Sequence, residues 1–181
     1  MMKRVTGGMI SSLLAVLWCI PAGQASTLSQ GWGRVNMEGS ILDTACAIEA
    51  GSRDQSIEMS TVPVGQIIRD GRGTARPFTI HLINCVRTRP DPTLPDWQRF
   101  QVTFDGESRN GLFQVRGTAR GVALQIRDAQ GNVAIPGKPL PAGDVIPGAM
   151  HLNYSLHLVG DQQVLRAGEY RSAIRFKLDY Y

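Results

Sequence analysis

Tyr170-Arg-Ser-Ala-Ile-Arg-Phe-Lys-Leu-Asp-Tyr180 decides the fold class. Tyr170, Ile174, Phe176, Leu178 and Tyr180 take every even position except Ser172, while Arg171, Arg175, Lys177 and Asp179 take most of the odd ones. A period of two belongs to a β-strand, whose successive side chains point to opposite faces, so one face is dry and the other wet. Upstream, Leu152, Tyr154, Leu156 and Leu158 alternate with His151, Asn153, Ser155 and His157 ahead of Gly160-Asp161. Val122, Leu124 and Ile126 alternate in the same way ahead of Asp128-Ala-Gln-Gly-Asn132, which has the chemistry of a turn. Further strands are expected over residues 33–42, 56–59, 77–85 and 98–104. Residues 87–96, with Pro90, Pro92 and Pro95, and residues 136–150, with four prolines and three glycines, read as loops.

Seven or more short strands in a chain of 181 residues describe one all-β domain, a sandwich. The 20 glycines and 10 prolines punctuate the chain too often for long helices. Hydrophobic residues at 43% and charged residues at 19% exclude both a disordered chain and a membrane bundle. No internal repeat and no heptad pattern is found.

Residues 1–25 read as a secretory signal peptide. Lys3 and Arg4 precede an apolar run from Met9 to Ile20, followed by Pro21-Ala-Gly-Gln-Ala25. The run is shorter than the ~20 residues a membrane-spanning helix needs. Loss of Lys3 and Arg4 lowers the net charge from +4 to +2. The scattered arginines lack the interleaved aromatics of a nucleic-acid groove, so no nucleic-acid partner is expected. Cys46 and Cys85 remain in a chain exported to an oxidising compartment, and one disulfide between them is the natural reading. A metal site at this pair is the weaker alternative, because no CxxC and no nearby histidine completes a ligand set.

The search for catalysis yields no catalytic residue, metal site, cofactor or small-molecule substrate, and no enzyme is expected. His151 and His157 lie on the polar face of one strand, on the order of 20 Å apart, too far to share a metal. No HExxH, GxSxG or phosphate-loop motif occurs. Asp105, Glu107 and Asp128 could act as acid and base, but Asp105-Gly106 and Asp128 through Gly131 read as turn formers.

The two ends carry a family pattern. Trp32-Gly-Arg-Val-Asn-Met-Glu-Gly-Ser-Ile-Leu-Asp-Thr-Ala-Cys46-Ala-Ile resembles the start of a pilin of the chaperone–usher class, and Ile80-His-Leu-Ile-Asn-Cys85 is similar to that family's second cysteine strand. The family has a glycine 14 residues from the C-terminus and a penultimate tyrosine, which Gly168 and Tyr180 match. The resemblance covers residues 33–181. It implies an incomplete immunoglobulin-like sandwich (the pilin fold) lacking its seventh strand, with an apolar groove beside the terminal strand. Gly168, Tyr170, Ile174, Phe176, Leu178 and Tyr180 would face that groove and the chaperone. A periplasmic chaperone would lend the missing strand, and the extension of another subunit would replace it at the outer-membrane usher, a form of β-augmentation.

The donor segment of this chain would be residues 26–44, ahead of a pilin domain at 45–181. Gly33, Val35, Met37, Gly39 and Ile41 would lie on one face and Arg34, Asn36, Glu38 and Ser40 on the other. The other reading of residues 33–42 is the domain's own first strand. Tip adhesins of the class carry an additional lectin domain, for which the mature length leaves no room. Phe100-Gln-Val-Thr-Phe-Asp-Gly106, Leu152-Asn-Tyr-Ser-Leu and Phe176-Lys-Leu-Asp-Tyr resemble most the minor subunit that terminates and anchors P-type pili. The short extension departs from that subunit and resembles a shaft pilin's. A shaft or adaptor pilin is the main alternative, and a stand-alone secreted binding module is the other. The implied partners are the chaperone, the usher and other pilin subunits, and the implied destination is the surface fimbrium of a Gram-negative bacterium, reached through the periplasm.

Overall fold

The computed structural model describes residues 34–39 and 43–181. Residues 34–39 contain no strand or helix, and Val35 and Met37 are 82% and 89% exposed. Residues 1–25, read as a signal peptide, and Gly33 and Ile41 of the expected donor segment lie outside the described residues.

Residues 43–181 fold into eleven strands and two short helices. In chain order they are β1 (Ala47–Ile48), α1 (Ala50–Arg53), α2 (Val64–Asp70), β2 (Arg76–Cys85), β3 (Arg99–Gly106), β4 (Ser108–Arg109), β5 (Leu112–Gln114) and β6 (Arg116–Gly117), followed by β7 (Val122–Asp128), β8 (Gly143–Asp144), β9 (Gly148–Gly160), β10 (Tyr170–Arg171) and β11 (Ile174–Tyr180). One sheet runs β1-β2-β9-β7-β5-β4, the second β11-β3-β8, and β10 pairs with β6 as a separate ribbon. All pairings are antiparallel.

Each long strand buries one face, and the two sheets meet through aromatics. Phe104 of β3 lies edge-on to Tyr154 of β9 at 5.0 Å and to Phe78 of β2 at 6.2 Å between ring centroids. Phe176 of β11 is 6.3 Å from the same Phe104 ring. Edge-to-face contacts of this kind add to the burial of large apolar area. Ile80, Leu82 and Phe113 complete the most deeply buried layer. Burial, with a smaller contribution from Asp128, pushes the Tyr154 phenol well above its ordinary value. The result is an immunoglobulin-like sandwich with a short second sheet.

The expected strands at 77–85, 98–104, 122–127 and 152–158 are present as β2, β3, β7 and β9. Five readings need correction. Residues 56–59 form no strand; they run irregularly towards α2, whose C-terminus is closed by Gly71 at φ +69° donating its N–H to Ile67 O at 2.9 Å. Residues 34–39, within the expected 33–42 strand, are likewise without one. The 170–180 strand is interrupted: Tyr170 and Arg171 pair with β6, and Ser172 turns its hydroxyl to Gln114 O at 2.8 Å, so that β11 begins at Ile174 on β3. Asp105 and Gly106 end β3 rather than form a turn, with Asp105 3.5 Å from Arg175. Within the expected loop 136–150, β8 forms and β9 starts at Gly148. The Asp128 turn is as read: Asp128 Oδ1 accepts from the backbone N–H of Gln130 and Asn132 at 3.0 and 2.8 Å.

Candidate functional site

The disulfide joins Cys46 to Cys85, closing a 39-residue separation. It ties the start of the domain to the end of β2, beside the pairing of Ala47 and Ile48 with Ile83 and Leu82. In the chain-entropy account, a loop of this size stabilises a fold by roughly 4 kcal/mol.

Among the described residues β11 has a neighbour on one side only. It pairs with β3 from Ile174↔Gly106 to Tyr180↔Phe100, and among the described residues no strand pairs with its other edge. The direction of its backbone groups follows from the ladder. Tyr181 N–H donates to Arg99 O at 3.0 Å and Arg99 N–H to Tyr181 O at 2.8 Å. On the far side of β3, Val102 O and Phe104 O accept from Leu140 and Gly137, both at 2.9 Å. The odd residues of β11 therefore exchange bonds with β3, and Ile174, Phe176, Leu178 and Tyr180 turn their N–H and C=O groups to the open edge. The same four side chains point inward yet are only half-buried, while Arg175, Lys177 and Asp179 are exposed on the other face. An open row of donors and acceptors above half-covered apolar side chains is a template for another strand.

The opposite wall is built from residues that alternation in the sequence did not single out. At the start of β11 a cavity of about 960 Å³ is lined by Ile57, Met59, Val62, Ile67, Leu165 and Ile174, with Gly168 and Tyr170 at its rim. Gly168 is required for close approach: a Cβ there would lie 2.5 Å from Ala119 N and 2.6 Å from the Thr118 carbonyl carbon. This approach lets Glu169 O accept from Thr118 N–H at 2.9 Å and Ala119 N–H at 3.0 Å, which holds β10 against β6. Gly168 is thus a packing glycine rather than only the glycine of a turn.

At the other end of β11, Trp97 is buried against Tyr180 with ring centroids 6.0 Å apart, and the Arg89 guanidinium covers the indole at 3.4 Å. Burial pushes the Tyr180 phenol up to about 12 and raises that of Tyr170. Neither hydroxyl has a hydrogen-bond partner among the described residues. The sequence reading missed Trp97 and Arg89, which lie in and beside a proline-rich loop with no periodicity to mark them.

Of the expected site residues, Ile174, Phe176, Leu178 and Tyr180 follow one another along β11, while Gly168 and Tyr170 pack against the β6 region beside the cavity. Val35, Met37 and Gly39, expected on the donor segment, lie in residues 34–39, which are exposed and contain no strand or helix. Among the described residues no group of three or more His, Cys, Asp or Glu side chains gathers as a complete metal-ligand set, and no helix is long and apolar enough to cross a membrane.

The site is an all-β sandwich in which, among the described residues, one edge of β11 is left unpaired above an apolar cleft. The profile of the fimbrial protein family matches residues 35–180, and the chain belongs to that family. It is 33% identical over 150 residues to the PRS fimbrial minor pilin protein of Escherichia coli, covering 82% of this chain and 77% of that one. It is 29% identical over 166 residues to the major MR/P fimbria protein of Proteus mirabilis, covering 89% and 91%. The crystal structure of the P pilus rod subunit PapA superposes with a TM-score of 0.67 at 20% identity, covering 76% of this chain and all of that one, and so shares the fold.

Proposed function

We propose that this protein is a structural subunit of an adhesive fimbria, assembled by donor-strand exchange, and that it is a minor subunit which terminates and anchors the fibre. The observation that carries the assembly mechanism is β11: four inward side chains half-covered and their backbone groups directed off an unpaired edge. A periplasmic chaperone lends a strand to this edge, and the fibre grows at the outer-membrane usher when an extension from another subunit replaces it. Residues 26–44 of this chain are the extension it donates, with Val35, Met37 and Ile41 as its apolar teeth. Each such side chain, once buried, contributes roughly 1.5–3 kcal/mol. Residues 1–25 direct export, and the assembled subunit resides in the surface fimbrium.

The likeness to minor pilins supports the terminator role. A shaft or adaptor role is the second reading, favoured by the cavity at the start of β11 and by the likeness to a major fimbria protein. Strand exchange separates the two. The chaperone complex is mixed with a donor peptide from a shaft subunit and followed by native mass spectrometry. A terminator forms the complex and does not exchange. Ready exchange makes the protein a shaft or adaptor pilin. A mature chain lacking residues 26–44 that stays soluble and unfolds cooperatively without a chaperone refutes the assembly mechanism and leaves a stand-alone module.

A further inference from the structure

All three histidines of the protein lie on strands of the six-stranded sheet, and two of them are directly opposed across a strand pair. His81 of β2 is in register with His151 of β9, their imidazole centroids 4.6 Å apart and tilted by 48°. The backbone explains why they stand so close. His81 N–H donates to Ser52 Oγ at 2.9 Å, and His81 O accepts from Glu49 N–H at 3.0 Å. Both of its backbone groups therefore point away from β9. The pair with His151 is the non-hydrogen-bonded kind, in which the Cα atoms of antiparallel neighbours approach to about 4.5 Å and the side chains are closest.

Glu49, placed by that same backbone bond, brings Oε2 to 3.5 Å from His81 Nδ1. A carboxylate at Nδ1 fixes the ring's orientation and leaves Nε2 as the free nitrogen, the arrangement that carboxylates impose on metal-ligating histidines. His81 and Glu49 are both about half exposed and His151 is exposed, so the pair is open to an ion from solvent.

We infer that His81 and His151 form a two-imidazole clamp for a divalent transition-metal ion of the zinc and copper class, with Glu49 as the positioning carboxylate and water completing the shell. Imidazole suits these ions. Two nitrogens each about 2.0–2.1 Å from one ion lie within the reach of rings packed this closely. His157 is a built-in control. It sits on the same strand six residues on, its Nε2 is 3.2 Å from Ser155 Oγ, and burial together with Arg127 and Arg72 holds its imidazole below the ordinary value. Two guanidiniums near it disfavour a further cation.

The test is titration of the full chain, carrying no histidine tag and complexed with a donor peptide, with Zn²⁺ and with Cu²⁺ in competition with a chromophoric chelator. One ion should bind per chain. His81→Ala and His151→Ala should each weaken binding tenfold or more, Glu49→Gln should weaken it about 10–100-fold, and His157→Ala should leave it unchanged. Zn²⁺ should also raise the thermal midpoint of the parent complex and not that of the His81→Ala, His151→Ala double variant. Circular dichroism of each variant establishes that the fold is kept. Binding no tighter in the parent than in the double variant, or an equal loss with His157→Ala, would overturn the clamp.

Discussion

β9 and β11 are written in the same pattern and live in different surroundings. Both alternate apolar and polar residues. β9 lies between β2 and β7, so both of its edges are bonded, and Tyr154, Leu156 and Leu158 are buried. Among the described residues β11 has β3 alone, and Ile174, Phe176, Leu178 and Tyr180 stop at half-burial. Alternation in a sequence reports which face of a strand is dry. It does not report how many neighbours the strand has, and the missing neighbour is where the proposed assembly would take place.

Substitutions on the two sides of the core sharpen that contrast. The largest effect is expected at Phe104, where the sheets meet. Phe104→Ala should lower the stability of the donor-bound chain by about 3–5 kcal/mol in denaturant titration, since a cavity opens among Phe78, Tyr154 and Phe176. Phe176→Ala should act elsewhere. Its side chain is half-buried and would complete its burial under the proposed donor strand, so donor-peptide affinity should fall roughly tenfold to a hundredfold, corresponding to about 1.5–3 kcal/mol.

Gly168→Ala should cost about 1–3 kcal/mol, because the new methyl meets the backbone of Thr118 and Ala119 and pries β10 from β6. Its signature in hydrogen exchange is faster opening of residues 116–119 with β9 unaffected. Arg175→Ala marks the lower end. Its side chain is 85% exposed with the guanidinium 3.5 Å from Asp105, so the stability change should stay below about 1 kcal/mol and donor affinity should not move.

The fold class was legible because β7, β9 and β11 each carry an alternation, followed in β7 and β9 by turn chemistry, and β2 ends on a cysteine with a visible partner. The opposite wall of the cleft was not. Ile57, Met59 and Val62 sit in an irregular segment that follows no period, and Ile67 is the only buried residue of a seven-residue helix. The break at Ser172 was hidden because the change of partner from β6 to β3 keeps the alternation in step across it. The pairing of His81 with His151 depends on register between strands about 70 residues apart, which no local pattern encodes. Asp105-Gly106 has the composition of a turn, and the β11 ladder overrides it.

Amide hydrogen exchange along β11, with and without a donor peptide, tests the open edge most directly. The backbone directions require Arg175, Lys177 and Asp179 to be protected in both states through their bonds to β3. Phe176, Leu178 and Tyr180 should exchange fast without the donor and slow by orders of magnitude when it binds. Equal protection of odd and even residues before the donor is added, or no gain at the even residues afterwards, would contradict an edge that is open and built to receive a strand.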